Sequence, residues 1–209
     1  MKNMKPISTD MPHLNNEVTA LRRYGDDIRI PQIRKSEENL FRSAVLAAAP
    51  RRILEIGTGI GYSALLMATL LPQAEIVTIE PFAPRYREAR KRMRQAGVEN
   101  RVTVVSATAE EALREIKGPF DLLYLDGSKG HYLEHLRLAE PLLQKNATIL
   151  ADNVLFRGYV CADDSDVPRR MRTIAHRMRA FLAYVKDPRY FTTSIYETGD
   201  GFAVARRKG

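Results

Sequence analysis

The chain lacks the features that mark several large classes of protein. Cys161 is its only cysteine among 209 residues, which excludes an intrachain disulfide and a metal site built from cysteines. No apolar run approaches the roughly 20 residues that a membrane-spanning helix needs. The first residues also lack the apolar core of a secretory signal. We therefore expect a cytoplasmic protein with no membrane partner.

Tryptophan is also absent, and acidic residues are outnumbered by basic ones. The chain has 33 lysines and arginines against 25 acidic residues, a formal net charge of +8. A basic surface favours partners that carry phosphate, because each neutralised phosphate releases counterions. A solvated, arginine-rich surface is the alternative. Without tryptophan, stacking on a nucleobase would have to use tyrosine or phenylalanine.

Length and pattern indicate a single domain without internal repeats or low-complexity linkers. We predict a helical extension over residues 1–49, with helices at 14–24 and 36–48 and an extended connector between them. Pro31 holds that connector out of helix, and Ser36 opens the second helix with a weak capping box.

From Arg52 onward, short apolar runs alternate with helical stretches. The predicted strands cover residues 53–56, 76–79, 102–105, 122–125 and 148–151. The predicted helices cover residues 62–71, 84–96, 109–116 and 132–144. Apolar on both faces, such strands suit the interior of a doubly wound, mostly parallel α/β sheet. A long helix over 168–186 then precedes two β-rich runs, 191–196 and 202–205, which predict an antiparallel hairpin at the end of the sheet.

The first predicted strand ends in a glycine-rich turn that contains Gly57, Gly59 and Gly61. Glycine allows a ligand to approach the backbone closely at this end of a strand. A dinucleotide motif would place its third glycine one position later, where Tyr62 stands. Glu55 would repel a phosphate but can receive the ammonium of an amino acid. Both features favour S-adenosylmethionine over NAD, although a tight βα loop without a ligand is the alternative.

The next two strand ends supply further polar groups for a nucleoside. Glu80 ends the second strand, where an acidic side chain can accept hydrogen bonds from both ribose hydroxyls. Thr108 follows the third strand, where backbone groups or its hydroxyl could meet an adenine. We therefore predict that Glu80 and Thr108 bind the cofactor.

The fourth and fifth strands end in Asp126 and in Asp152-Asn153. Consecutive strand ends of a parallel sheet lie at one edge, so these three oxygen donors can converge on Mg²⁺ or a similar hard cation. Lys129 follows Asp126 closely, and an amine beside a bound cation loses affinity for its proton and can act as a general base. Helix caps and turns are the alternative role of such aspartates and asparagines.

These motifs together resemble a known family. The resemblance is carried by Glu55-Ile56-Gly57-Thr58, Gly61-Tyr62-Ser63, Glu80, Leu125-Asp126 with Lys129, and Ala151-Asp152-Asn153-Val154. This order is similar to that of the metal-dependent, catechol O-methyltransferase-like family, whose sheet is the class I methyltransferase variant of the doubly wound, Rossmann-like fold. The segment from Asp152 to Gly158 and the closing Gly199-Asp200-Gly201-Phe202 resemble the bacterial tRNA 5-hydroxyuridine methyltransferases within it.

The resemblance implies a role for each matching residue. It makes Asp126, Asp152 and Asn153 the metal ligands and Lys129 the candidate base. It also implies a homodimer. It implies cofactor contacts for Ile33, Glu55, Gly57, Ser63 and Glu80. We also predict that Gly59, Gly61, Tyr62, Thr108 and Asp126 bind the cofactor. Many relatives carry Gly-Asp-Ala where this chain has Ser106-Ala107-Thr108, so a carboxylate contact to the adenine is absent there.

Three classes of function remain open from the sequence. The first is methylation of 5-hydroxyuridine at the tRNA wobble position to 5-methoxyuridine, and the second is methylation of a small catechol-like molecule. The third is an NAD-type dehydrogenase or a non-catalytic RNA-binding module. Among the basic clusters, we expect residues 22–35 and 169–179 to flank the active-site edge. We expect residues 85–94 to form a solvated helix face on the opposite side of the cofactor loop.

Overall fold

The computed structural model describes residues 11–209, so the first ten residues of the predicted N-terminal extension lie outside the described residues. The helices are α1 (Met11–Asp27), α2 (Lys35–Ala48), α3 (Tyr62–Leu70), α4 (Ala83–Gln95), α5 (Ala109–Glu115), α6 (Tyr132–Ala139) and α7 (Arg169–Val185). The strands are β1 (Arg52–Ile56), β2 (Glu75–Ile79), β3 (Val102–Val105), β4 (Phe120–Leu125), β5 (Leu143–Asp152), β6 (Phe191–Tyr196) and β7 (Phe202–Arg207).

The seven strands form one sheet in the order β3-β2-β1-β4-β5-β7-β6. The first five are parallel, and β7 lies antiparallel between β5 and β6. The strand order reverses between β1 and β4, which is where ligands bind in open α/β sheets. The predicted fold class, including the closing antiparallel hairpin, is confirmed.

Helices cover both faces of the sheet. One apolar cluster joins α1, α2 and α3 to the sheet, and the other joins α5, α6 and α7 to the opposite face. Strands such as β1 and β4 are therefore buried on both sides, which explains their unbroken apolar sequence.

The N-terminal helices belong to the core. Phe41 of α2 is fully buried, and its ring lies 5.0 Å from that of Tyr124 on β4 and 6.3 Å from that of Phe202 on β7. On α3, Tyr62 donates a hydrogen bond of 2.7 Å to Glu38 of α2. The connector between α1 and α2 is thereby held over the carboxyl edge of the sheet.

Two local predictions were wrong. Ser36 does not cap α2, which begins at Lys35 after Arg34 and has no side-chain cap. A capping box forms instead on α5, where Thr108 and Glu111 bond each other's backbone.

The helix predicted over residues 132–144 was also too long. Helix α6 ends at Ala139, a 3-10 turn covers Glu140–Leu142, and β5 begins at Leu143. Pro141 lacks the amide hydrogen that a continued helix would need. Among residues 11–209 no helix is both long enough and apolar enough to cross a membrane.

Replacing Phe41 with alanine tests whether the N-terminal helices stabilise the whole domain. The substitution leaves a cavity beside Tyr124, so we expect the free energy of unfolding to fall by about 3–5 kcal/mol. Leu46 on the same helix is 51% exposed, so L46A should change the free energy of unfolding by less than about 0.5 kcal/mol. Guanidinium denaturation measures both, and equal losses would contradict this packing.

Candidate active site

A cavity of about 600 Å³ lies at the carboxyl ends of β1, β2, β4 and β5. Its size falls in the range of sites that hold small molecules and cofactors. Eleven of the thirteen predicted site residues line it: Ile33, Gly57, Gly59, Tyr62, Ser63, Glu80, Thr108, Asp126, Lys129, Asp152 and Asn153. The structure therefore brings both the predicted cofactor residues and the predicted metal ligands to one cavity.

The glycine turn after β1 lines the cavity through Gly57, Thr58 and Gly59. Gly57 has φ 107°, and a Cβ atom there would lie 2.6 Å from the backbone of Asp126, so only glycine fits. Ile56 accepts a hydrogen bond of 3.0 Å from the amide of Asp126. The turn after β1 and the turn after β4 are therefore locked together, which fixes the position of Asp126.

Two predicted residues do not line the cavity. Gly61 faces α4 instead, where a Cβ atom would lie 2.7 Å from the Met93 side chain. Glu55 is fully buried behind the turn, and its carboxylate accepts hydrogen bonds from the hydroxyls of Ser63 and Thr78. Ser63 does line the cavity, so it stands between Glu55 and the open space.

Glu80 is anchored at the nucleoside end of the cavity. Its carboxylate accepts hydrogen bonds from the amide of Gly59 at 2.8 Å and from the amide of Phe82 at 3.0 Å. Those bonds fix both oxygens at the end of β2 and link them to the glycine turn. At the end of β3, the Thr108 hydroxyl accepts from the Glu111 amide at 3.2 Å. That hydroxyl is therefore committed to capping α5.

The predicted metal ligands follow two paired strands. Leu125 of β4 is paired with Ala151 of β5, so Asp126 and Asp152 occupy neighbouring positions at the same edge. Asn153 turns the chain with φ 54°, a conformation that asparagine tolerates. Its backbone and side-chain N–H groups both donate to Oδ1 of Asp152, at 2.7 and 3.1 Å. This turn leaves the second Asp152 oxygen and the Asn153 amide oxygen unused.

The edge concentrates negative charge. Burial raises the pKa of Asp126, which also lies near Glu55. Burial, together with the charges of Asp126 and Glu37, raises the pKa of Asp152 above its ordinary range. Asp126 and Asp152 have little positive charge around them, and the amide oxygen of Asn153 lies beside them. A hard divalent cation would neutralise the two carboxylates and bind all three groups through oxygen. The residues present therefore fit a bound Mg²⁺ or similar ion.

Lys129 is the cation nearest this edge along the chain. It begins a short 3-10 turn, Lys129–His131, lines the cavity, and its charge lowers the pKa of Asp126. The turn is tied down because Nδ1 of His131 lies 2.9 Å from the Ser128 hydroxyl. An amine in this place can exchange a proton with a group bound beside Asp126.

Several cavity residues were not predicted from the sequence. His131 and His135 stack with their ring centroids 5.8 Å apart, and both line the cavity with Arg85. Glu37 is completely buried on α2 and accepts a hydrogen bond of 2.9 Å from the Asp200 amide. Glu37 does not itself line the cavity, but it shares the four-residue spacing of the buried α2 positions Phe41 and Val45, a pattern that could have identified it as a buried charge.

Clusters 22–35 and 169–179 do lie beside the cavity, since Ile30 and Ile33 line it and Arg177 donates to the carbonyl of Gly130 next to Lys129, but several of their arginines bond within the protein. Arg22 is largely buried and donates to the carbonyl of Ile33 and to Glu38, both at 2.6 Å. Arg179 donates to three carbonyls and to Asp164 of the segment between β5 and α7. Arg22 links α1 to the connector and α2, and Arg179 links α7 to the segment before it, so both have structural roles. Cluster 85–94 is largely the solvated helix face that was predicted, because Arg87, Arg90, Lys91 and Arg94 are exposed, but Arg85 lines the cavity, so α4 begins at its mouth.

The fold and the cavity define a methyltransferase-like protein. The structure of the O-methyltransferase TomG from Streptomyces achromogenes in complex with S-adenosylmethionine superposes with a TM-score of 0.75 at 26% identity, covering 97% of this chain and 91% of that one. The shared architecture extends over nearly the whole length of both chains.

Sequence comparison identifies the family. The chain matches the family described as O-methyltransferase over residues 8–208. It is 35% identical over 191 residues to the catechol O-methyltransferase of Mycobacterium tuberculosis, covering 86% of this chain and 83% of that protein. It is 29% identical over 183 residues to the flavonoid 3',5'-methyltransferase of Vitis vinifera, covering 82% and 77%. The chain belongs to this family and is an O-methyltransferase.

Replacing Glu55 with glutamine tests the burial of its charge. In the folded protein, burial raises the pKa of Glu55 from 4.5 to about 7. The folded state keeps a proton that the unfolded state has released, so stability is full below the lower value and is lost as the pH rises towards the upper one. The free energy of unfolding that is lost over this pH range corresponds to about 3 kcal/mol.

Without cofactor, we therefore expect E55Q to gain stability relative to the unsubstituted protein as the pH rises from 4.5 to 8. Glutamine can keep the bonds to Ser63 and Thr78 without a buried charge. Guanidinium denaturation at a series of pH values measures the difference, with E99Q at an exposed position as the control. A pH-independent difference for E55Q would refute the raised pKa.

Proposed function

We propose that the protein transfers a methyl group from S-adenosylmethionine to a substrate hydroxyl, and that Asp126, Asp152 and Asn153 would hold a divalent cation that would acidify this hydroxyl. One observation carries the proposal: Asp126, Asp152 and Asn153 line the same cavity as the glycine turn and Glu80. Donor and acceptor sites within one cavity are what a direct transfer requires.

The glycine turn and its neighbours support the donor site. Ser63 and the Gly57 turn line this end of the cavity, and Ser63 bonds to the buried Glu55, whose ionised form a nearby amino-acid ammonium would favour. Glu80, held by two backbone amides, presents a carboxylate for the ribose hydroxyls. S-adenosylmethionine supplies a sulfonium methyl, to which the acceptor oxygen forms a bond in line as the methyl–sulfur bond breaks.

The acceptor site follows from the metal ligands and Lys129. A divalent cation held by Asp126, Asp152 and Asn153 would lower the pKa of a substrate hydroxyl and fix the direction of its oxygen. Lys129 lies beside Asp126, and the neutral form of its amine would take the hydroxyl proton on Nζ. Ile33 and the rest of the α1–α2 connector cover the cavity and exclude water from the reacting groups.

The leading substrate is 5-hydroxyuridine at the wobble position of tRNA. Its 5-hydroxyl and 4-carbonyl are adjacent oxygens that one cation can bind together. The chain's formal net charge of +8 suits a polyanionic substrate. A small catechol is the second candidate, because its two hydroxyls offer the same pair and a relative is a catechol O-methyltransferase. The cytoplasmic location and the homodimer stay predictions.

Replacing Asp152 with alanine tests the metal site. The variant loses a metal ligand, so we expect turnover to fall at least about 100-fold while affinity for S-adenosylmethionine survives. EDTA should inhibit the unsubstituted protein, and added Mg²⁺ should restore it. Asp163 is an exposed aspartate of the following segment, and D163A serves as the control. Full activity of D152A, or of the EDTA-treated protein, would remove the metal from the proposal.

Nucleoside mass spectrometry distinguishes the two substrates. The protein is incubated with S-adenosylmethionine, Mg²⁺ and either tRNA that contains 5-hydroxyuridine or a free catechol. We expect 5-methoxyuridine to accumulate in the tRNA and to be absent with D152A. Methylated catechol without any 5-methoxyuridine would assign the enzyme to the second candidate.

A further inference from the structure

Helix α4 carries an unusual concentration of positive charge. Its thirteen residues include six basic residues and one acidic residue, a net +5 in a chain whose formal net charge is +8. Four of the basic residues are exposed, and they line one surface groove: Arg87, Arg90, Lys91 and Arg94. We call these four residues the α4 strip. They recur three or four positions apart, so they share one face over two turns of helix.

The protein itself makes little use of this strip. Glu88 forms an ion pair of 2.7 Å with Arg92, and the Arg92 guanidinium also packs over the ring of Tyr24. Within residues 11–209, the only ion pair of the strip joins Lys91 to Glu88 at 3.9 Å. Helix α7 is different, because Arg172 and Arg179 donate to carbonyls of the segment before it. The α4 strip thus has no comparable structural task.

Like charges at this spacing destabilise a helix in the free protein. A polyanion laid along the strip would remove that repulsion. A membrane surface is a poorer match, because a helix that lies on a membrane presents an apolar face to it. The apolar residues of α4, Ala89 and Met93, are buried against the domain instead.

The strip also begins at the mouth of the cavity. Glu80 and Pro81 line the cavity directly before α4, and Arg85 in its first turn lines it as well. Phe82 directly follows Pro81, is 56% exposed, and has the Arg85 guanidinium 5.7 Å from its ring centroid. An exposed aromatic ring beside cations is a surface on which an unpaired base can stack.

We propose that the α4 strip binds the phosphate backbone of the RNA substrate and that Phe82 stacks on a base next to the one that is methylated. The inference rests on the proposed function, because it requires an RNA whose modified base reaches the cavity. It gives the enzyme a docking surface outside the catalytic cavity, running from the mouth along α4.

The test compares two triple variants that remove the same charge. R87Q/R90Q/R94Q neutralises the α4 strip, and glutamine keeps a good helix former at each position. R51Q/K117Q/K145Q removes three exposed cations at the opposite edge of the sheet. Binding of a tRNA transcript is followed by fluorescence anisotropy over a range of salt concentrations. Calorimetry with S-adenosylmethionine verifies that each variant is folded.

We expect the α4 variant to bind tRNA about tenfold or more weakly and to lose about two units of the slope of log affinity against log salt concentration. The control variant should retain most of the affinity. The variant F82L should bind more weakly with the slope unchanged, because stacking does not release counterions. Unaltered tRNA binding by the α4 variant, or equal losses in both triple variants, would overturn the proposal.

The outcomes separate this inference from the proposed function. Strip-dependent tRNA binding without formation of 5-methoxyuridine would support the docking surface and reject the proposed substrate. Methylation of tRNA that the α4 variant performs with normal affinity would reject the docking surface alone. Absence of tRNA binding by the unsubstituted protein would reject both, and binding of the strip to phosphatidylserine vesicles instead would reassign it to a membrane.

Discussion

The parallel register of β1, β4 and β5 is the constraint on which the site depends. Ile56 is paired with Leu125, and Leu125 with Ala151, so the residues that follow all three strands emerge at one edge. A shift by one residue would turn Asp126 or Asp152 towards a helix layer. The absence of a side chain at Gly57 lets its turn approach the backbone of Asp126, which fixes the distance between the two halves of the cavity.

This constraint explains why part of the site could be predicted from the sequence. Asp126 and Asp152 each follow a short apolar run, and parallel strands bring such residues together whatever the helices do. Glu37 could not be placed in the same way, because its position depends on how α2 packs against the sheet and the closing hairpin. Glu55 and Gly61 belong to a motif that the sequence reveals, but which of its residues line the cavity depends on packing that the motif does not encode, and these two do not line it.

Charge was the least predictable property of the chain. Counting arginines does not reveal whether a guanidinium lies in solvent or donates to a carbonyl, and both occur here. Arg22 donates hydrogen bonds to the Ile33 carbonyl and to Glu38, whereas four cations of α4 are exposed to solvent. The predicted helix over 132–144 was too long for a different reason. Its apolar periodicity continued past Pro141, but the backbone could not continue as a helix there.

The resulting molecule separates charge by depth. Carboxylates surround the interior of the cavity, where burial, together with the charge of Glu37, raises the pKa of both Asp126 and Asp152, and they would attract a sulfonium donor and a divalent cation. Cations occupy the surface outside the mouth. An anionic polymer is therefore drawn to the exterior but repelled from the interior. For the RNA substrate proposed above, this field would hold the phosphate backbone outside and admit only an uncharged base to the cavity.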